Sequence, residues 1–168
     1  MTLPAVTIAP ERPDSPPVLA LLASLDRYLA SLYPPEANHI LGVEALLAPE
    51  VTFLVARADG RALGCGAVRT MPGEPETDAE PYGEIKRMYV EPSARGLGIG
   101  GRLIDALEAA LIGRGIGLSL LETGGDQHEA VRLYERKGYL RRTAFGGYPD
   151  NGLSVFMQRR LGGTFFFI

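Results

Sequence analysis

The stretch Arg95-Gly96-Leu97-Gly98-Ile99-Gly100-Gly101 decides how the rest of the chain is read. Its four glycines alternate with aliphatic residues, between a strand-like run ending at Val90 and a helical pattern beginning near Gly100. Glycine permits positive φ and lets the backbone approach a ligand closely. Several N–H groups then converge at a helix N-terminus, where the helix dipole also favours negative charge. Such a loop is a cradle for a phosphate or pyrophosphate. A mere turn from strand to helix needs no such concentration of glycine.

The stretch also contains Gly96-x-Gly98-x-x-Gly101, the literal dinucleotide-binding pattern, and Glu122 stands where that pattern wants an acid. Spacing argues against this reading. In a dinucleotide fold the first glycine follows its strand almost directly. Here Glu91-Pro92-Ser93-Ala94-Arg95 intervene. Strand-like runs precede the unit, and too little chain follows it for a second dinucleotide half. A P-loop is excluded because no Gly-Lys-Ser/Thr follows.

Upstream, Val6 to Ala9 reads as a short strand. Ser15 before Pro16 is a helix start, the hydroxyl capping and the proline losing nothing by its missing N–H. Leu22, Leu25, Leu29 and Leu32 line one face of that helix, and Pro34-Pro35 ends it. Gly42 to Ala48 reads as a second, short helix. Val51 to Ala58 and Arg61 to Met71 read as strands joined at Asp59-Gly60, a strong hairpin signal. Tyr82 to Val90 is the next strand. Downstream, Gly100 to Arg114 is helical, with Leu103, Leu107 and Leu111 on one face. A strand over Gly117 to Glu122, a helix over Asp126 to Lys137 and strands at Tyr139 to Arg142 and Leu153 to Arg159 complete the order. That order predicts an α/β (α+β) chain, a mixed sheet covered by helices on both faces.

With 168 residues and 18.1 kDa, the chain is expected to form a single domain over 1–168. Its 46% apolar and 22% charged residues suit a globular protein and not a disordered one. A lone cysteine, Cys65, rules out a disulfide framework, and with only His39 and His128 beside it no metal site is expected. The net charge of −3 argues against broad nucleic-acid binding. No apolar run approaches the ~20 residues of a membrane span. Met1 to Asp14 has neither a basic start nor an apolar run, so a cytoplasmic protein is expected.

The pattern Arg95-x-x-Gly98-x-Gly100 resembles the pyrophosphate-binding loop of the GNAT superfamily of acyl-CoA N-acyltransferases. Upstream, Glu84-Ile-Lys-Arg-Met-Tyr-Val90-Glu-Pro92 resembles that family's fourth strand. Downstream, Ala130-x-x-Leu133-Tyr134-Glu135-x-x-Gly138-Tyr139 resembles its last helix and following strand. Together these cover roughly residues 50–160. The resemblance implies a mostly antiparallel central sheet and an acetyl-CoA-dependent N-acetyltransferase acting on a small-molecule or amino-acid-like primary amine by direct attack, with acetyl-CoA as co-substrate and no metal.

By that resemblance the pantetheine arm of CoA lies against Met88, Tyr89 and Val90, in a gap where the fourth strand splays from the fifth. The pyrophosphate meets N–H groups from Gly96, Leu97, Gly98, Ile99, Gly100 and Gly101, and Arg95 adds charge, with Arg102 as a further candidate. Gln127 stands where many members carry a cofactor-touching asparagine. Tyr134 aligns with the tyrosine beside the CoA sulfur, as general acid or as hydrogen-bond donor to the departing thiolate. Glu84 and Glu122 align with the bases of different members. Glu84 ranks slightly ahead, and strand alternation puts it on the face of Lys86, Met88 and Val90.

Two loops are expected to wall the acceptor. One carries Tyr33, Glu36, Asn38 and His39, the last read as hydrogen-bonded and not catalytic. The other carries Phe145 and Tyr148. Cys65 reads as packing. The adjacent Phe165, Phe166 and Phe167 need cover, from a partner copy in a homodimer or from the chain itself. Two other functions fit less well: an acyl-CoA-binding regulatory module without transfer, and a nucleotide-dependent oxidoreductase.

Overall fold

Both residues of the Asp59-Gly60 turn adopt positive φ, 50° and 76°. This closes the hairpin of β2 (Val51–Ala58) and β3 (Arg61–Met71) with the bounds the sequence predicts. The structure, a computed structural model, describes residues 5–162; the Phe165–Phe167 tail lies outside them. The strands β1 (Thr7–Pro10), β2, β3, β4 (Tyr82–Val90), β5 (Leu118–Gly124), β6 (Leu140–Arg142) and β7 (Ser154–Arg160) form one sheet in the order β1-β2-β3-β4-β5-β7-β6. Every neighbouring pair is antiparallel except β4 with β5. The expected mixed, mostly antiparallel sheet is therefore found.

Helices cover both faces. On one, Val18, Leu21 and Leu22 of α1 (Pro16–Leu32) and Leu46 of α2 (Val43–Leu46) pack on Phe53, Val55, Cys65 and Ala67. On the other, Leu103, Leu107 and Leu111 of α3 (Ile99–Gly113) join Val131 and Tyr134 of α4 (His128–Arg136) against Leu54, Ala56, Val68 and Ile85. A third cluster, Tyr82, Leu118, Leu120, Phe145 and Phe156, fixes the segment before β7. The start of α1 differs in detail from expectation: Ser15 makes no side-chain cap, and Pro16 at the first helical position sets the entry.

Two irregularities of β4 position everything that follows. Its parallel pairing with β5 runs only from Gly83–Ile85 to Ser119–Leu121. Beyond it the strands part, leaving Lys86–Val90 and Glu122–Gly124 on either side of an opening. Opposite β3, the register jumps from Ala67–Lys86 to Cys65–Tyr89, so Arg87 and Met88 together face Gly66. This is a β-bulge. Arg87 takes φ 58°, a conformation that costs a non-glycine residue about 1–3 kcal/mol. It is held there by a 2.7 Å ion pair to Asp26 of α1 and by the Cys65 thiol donating to its carbonyl. The bulge corrects the alternation argument. Met88 and Val90 pack on the α3 side, while Glu84 and Lys86 face the opposite side.

Candidate active site

The opening between β4 and β5 leads into a cleft of about 550 Å³, within the usual range for small-molecule sites. Met88, Tyr89 and Val90 form one wall, Gln127, Ala130 and Tyr134 another, and the glycine loop closes one end. Gly96 and Gly98 have φ 83° and 76°, and a Cβ on either would meet nothing within 4 Å. Gly98 is the N-cap of α3, so its loop presents the free N–H groups of a helix start to the cleft. The Arg95 guanidinium donates to the Val90 carbonyl at 3.0 Å and lies 5.9 Å from the Tyr89 ring centroid, which keeps its charge at this end. Arg102 is turned away, donating to the Val6 carbonyl, and does not line the cleft. Leu97 is exposed, and the Ile99 side chain is buried in the core; both serve the loop only through backbone. Arg136, His128 and Tyr28 also line the cleft and were not singled out by the sequence. They come from helix faces whose orientation only the packing of α1 and α4 decides.

A second, smaller cavity of about 100 Å³ adjoins the first, and Leu25, Met88, Gln127 and Tyr134 line both. Tyr33, Asn38, His39, Lys86, Glu122 and Ser154 also line it. Tyr33 is fixed by its ring packing on Gly124 and by its hydroxyl accepting from the Asp126 backbone N–H at 3.2 Å. Glu122 accepts a 2.7 Å hydrogen bond from Ser154 and has its Oε2 3.5 Å from His39 Nδ1. His39 is not the satisfied residue expected, since its buried Nδ1 has no hydrogen-bond partner. Glu36 is exposed on a short turn and lines neither cavity.

Glu84 sits differently from Glu122. It is 1% exposed and lines neither cavity. One oxygen accepts from Arg69 Nε and Nη2 at 3.0 and 2.9 Å; the other accepts from the Tyr148 hydroxyl. Lys86 Nζ lies 3.8 Å away and donates to the Tyr148 hydroxyl and the His39 carbonyl. Burial lowers the Lys86 pKa, opposed by the carboxylates of Glu84 and Glu122. Tyr148, expected as an acceptor wall, is thus a strut beneath it, joining the β4 network to the His39 ring.

Tyr134 is 6% exposed, and burial alone pushes its pKa well above that of a free tyrosine. No described residue hydrogen-bonds its hydroxyl. Among the described residues, no group of three or more His, Cys, Asp or Glu could hold a metal, and no helix is long and apolar enough to cross a membrane.

Residues 19–139 match the model of the acetyltransferase (GNAT) family. The chain belongs to this family. It is therefore an enzyme, an N-acetyltransferase. A protein of Azospirillum brasilense named IAA acetyltransferase is 43% identical over 159 residues, 95% of this chain and 100% of its own length. A solved Klebsiella pneumoniae structure described as an acyl-CoA N-acyltransferase is 37% identical, covers 93% of this chain and 97% of its own, and superposes with a TM-score of 0.75. The PaiA N-acetyltransferase of Thermoplasma acidophilum, solved with coenzyme A, shares the fold at 18% identity, with a TM-score of 0.71 over 93% of this chain and 99% of its own. GNAT enzymes use acetyl-CoA as co-substrate, and the family leaves no place for the dinucleotide reading of the glycine loop.

Proposed function

We propose that the chain transfers the acetyl group of acetyl-CoA to the primary amine of a small acceptor. One observation carries this reading: the Glu122-lined cavity adjoins the glycine-loop cleft at Tyr134, which lines both, so a carboxylate and a tyrosine lie about the shared wall. The empty space over Gly96 and Gly98 fits a pyrophosphate on the loop N–H groups, with Arg95 beside it. The unpaired edge of β4 at Met88–Val90 fits a pantetheine amide chain added like a strand. When bound, acetyl-CoA supplies the thioester whose acyl carbon the amine attacks.

An ammonium cannot attack, and deprotonating a lysine-like amine at pH 7 costs about 4.6 kcal/mol. Glu122, and not the enclosed Glu84, supplies the negative charge on the cavity wall that favours loss of this proton. Tyr134 serves the other end. A free tyrosine is already about 1.5 pH units less acidic than a thiol, and burial widens that gap. Its hydroxyl therefore supports the departing sulfur as a hydrogen-bond donor and keeps its proton. The Tyr134→Phe variant should lose roughly ten- to hundredfold in turnover, the worth of one hydrogen bond to a charged atom. Its affinity for acetyl-CoA should barely change. Wild-type turnover would leave Tyr134 a packing residue.

The smaller cavity is below the usual size of a whole ligand site, so it holds the reacting end of the acceptor. Thiol release from acetyl-CoA, measured over ethanolamine, lysine and phenethylamine and over IAA, after the Azospirillum brasilense relative's name, tests the reading. Release with a primary amine and formation of its acetamide are expected. Acetyl-CoA binding without release by any amine would overturn the acceptor class, and absence of binding would overturn the whole assignment.

A further inference from the structure

The His39 imidazole lines the acceptor cavity with its Nδ1 buried, unpartnered and turned to Glu122 Oε2 at 3.5 Å. Three elements hold it in that pose. Lys86 of β4 donates to its carbonyl at 2.9 Å. The Tyr148 ring, from the segment before β7, lies 4.9 Å from it, centroid to centroid. Glu122 of β5 faces the buried nitrogen and is itself fixed by Ser154. Tyr148 and Glu122 are the titratable groups that meet the ring, and Lys86 meets the His39 carbonyl. With Nδ1 enclosed, Nε2 is the nitrogen that can meet a ligand in the cavity.

Resting on the acetyl-transfer reading above, we propose that His39 takes the acceptor amine's proton at Nε2 while Glu122 holds the Nδ1–H. Catalytic hydrogen bonds are often long without substrate and tighten when it binds, which suits the 3.5 Å separation. The protons balance as follows. The ammonium gives one proton to Nε2, and the freed lone pair forms the C–N bond as the C–S bond breaks. The nitrogen's next proton goes with the thiolate to make the free thiol, and the imidazolium returns its proton to water. The chemistry favours an imidazole over a carboxylate acting alone. A carboxylate near pH 4.3 lies about 6 pH units below a lysine-like amine, and an imidazole near 6.5 only about 4.

Two nucleophiles separate this role from a structural one. Phenethylamine is protonated at pH 7 and needs a base; hydroxylamine is neutral there and does not. In the His39→Gln variant, acetyl transfer to phenethylamine should fall by about a hundredfold or more, within the span of general-base catalysis. Transfer to hydroxylamine should fall far less, and acetyl-CoA affinity, read by calorimetry, should hold. The Glu122→Gln/His39→Gln pair should lose little beyond the worse single change, as expected of residues acting as a unit. Equal losses with both nucleophiles, or no loss with phenethylamine, would overturn the role of His39 alone. A wild-type enzyme releasing thiol with neither nucleophile would overturn the acetyl-transfer reading and this inference with it.

Discussion

Gly98→Asp should reduce acetyl-CoA affinity by about 10²–10⁴ while leaving the protein folded. A pyrophosphate at the start of α3 accepts charge-assisted bonds from backbone N–H groups, each worth about 1.5–3 kcal/mol. An aspartate there places a carboxylate where the phosphate would stand, and repulsion removes about two such bonds. At 1.4 kcal/mol per decade this is the stated range. Stability should change little, because the space over Gly98 is open. The remaining strain is the positive φ of 76°, and aspartate is among the few residues that tolerate it. Gly98→Ala is the control, carrying the strain without the charge. A titration in which the folded aspartate variant binds acetyl-CoA like the wild type would remove the glycine loop from the cofactor site.

That the glycine loop is legible in sequence, while the faces of β4 are not, has a physical cause. A phosphate cradle is built from consecutive backbone, so the proposed one lies whole within Arg95 to Gly101. The hairpin at Asp59-Gly60 is equally local, and β2 and β3 have the bounds that the two runs flanking it predict. The proposed acceptor cavity is lined by side chains brought from α1, β4, β5 and the segment before β7. Alternation along β4 assumes one residue per step on each face. The bulge at Arg87 and Met88 breaks that count, so Met88 and Val90 land opposite Glu84 and Lys86. No local pattern announced the bulge, because what stabilises it is distant: Asp26 lies 61 residues from Arg87 in sequence. Sequence likewise separates Glu84 from Glu122 only slightly, as carboxylates on neighbouring strands, with Glu84 ahead. Tyr148, arriving 64 residues later, covers Glu84 and leaves Glu122 on the cavity wall.

The two glutamates should therefore fail in different ways. Glu122→Gln keeps the size of the side chain and an oxygen for Ser154 but cannot hold a negative charge. Its kcat/KM with a primary amine should fall by about 10²–10⁴, the usual contribution of acid–base assistance. The deficit should shrink as pH rises toward the amine pKa, because neutral acceptor then forms without help. Melting temperature should hardly move. Glu84→Ala should show the reverse order of effects. It strips the counter-charge from Arg69 and from Lys86, whose ammonium side chain is only 8% exposed. Leaving a buried charge uncompensated costs on the order of 3–5 kcal/mol. For a chain of this length that is a fall of roughly 6–20 °C in Tm. Tyr148 and the loop it braces would loosen too, so activity would fall as well, but without the pH signature, since the lost carboxylate lines neither cavity. Calorimetric melting and pH profiles of both variants decide the matter. A stable Glu84 variant whose deficit shrinks at high pH, beside a Glu122 variant with wild-type kinetics, would move the carboxylate that assists proton removal to β4 and with it the acceptor site.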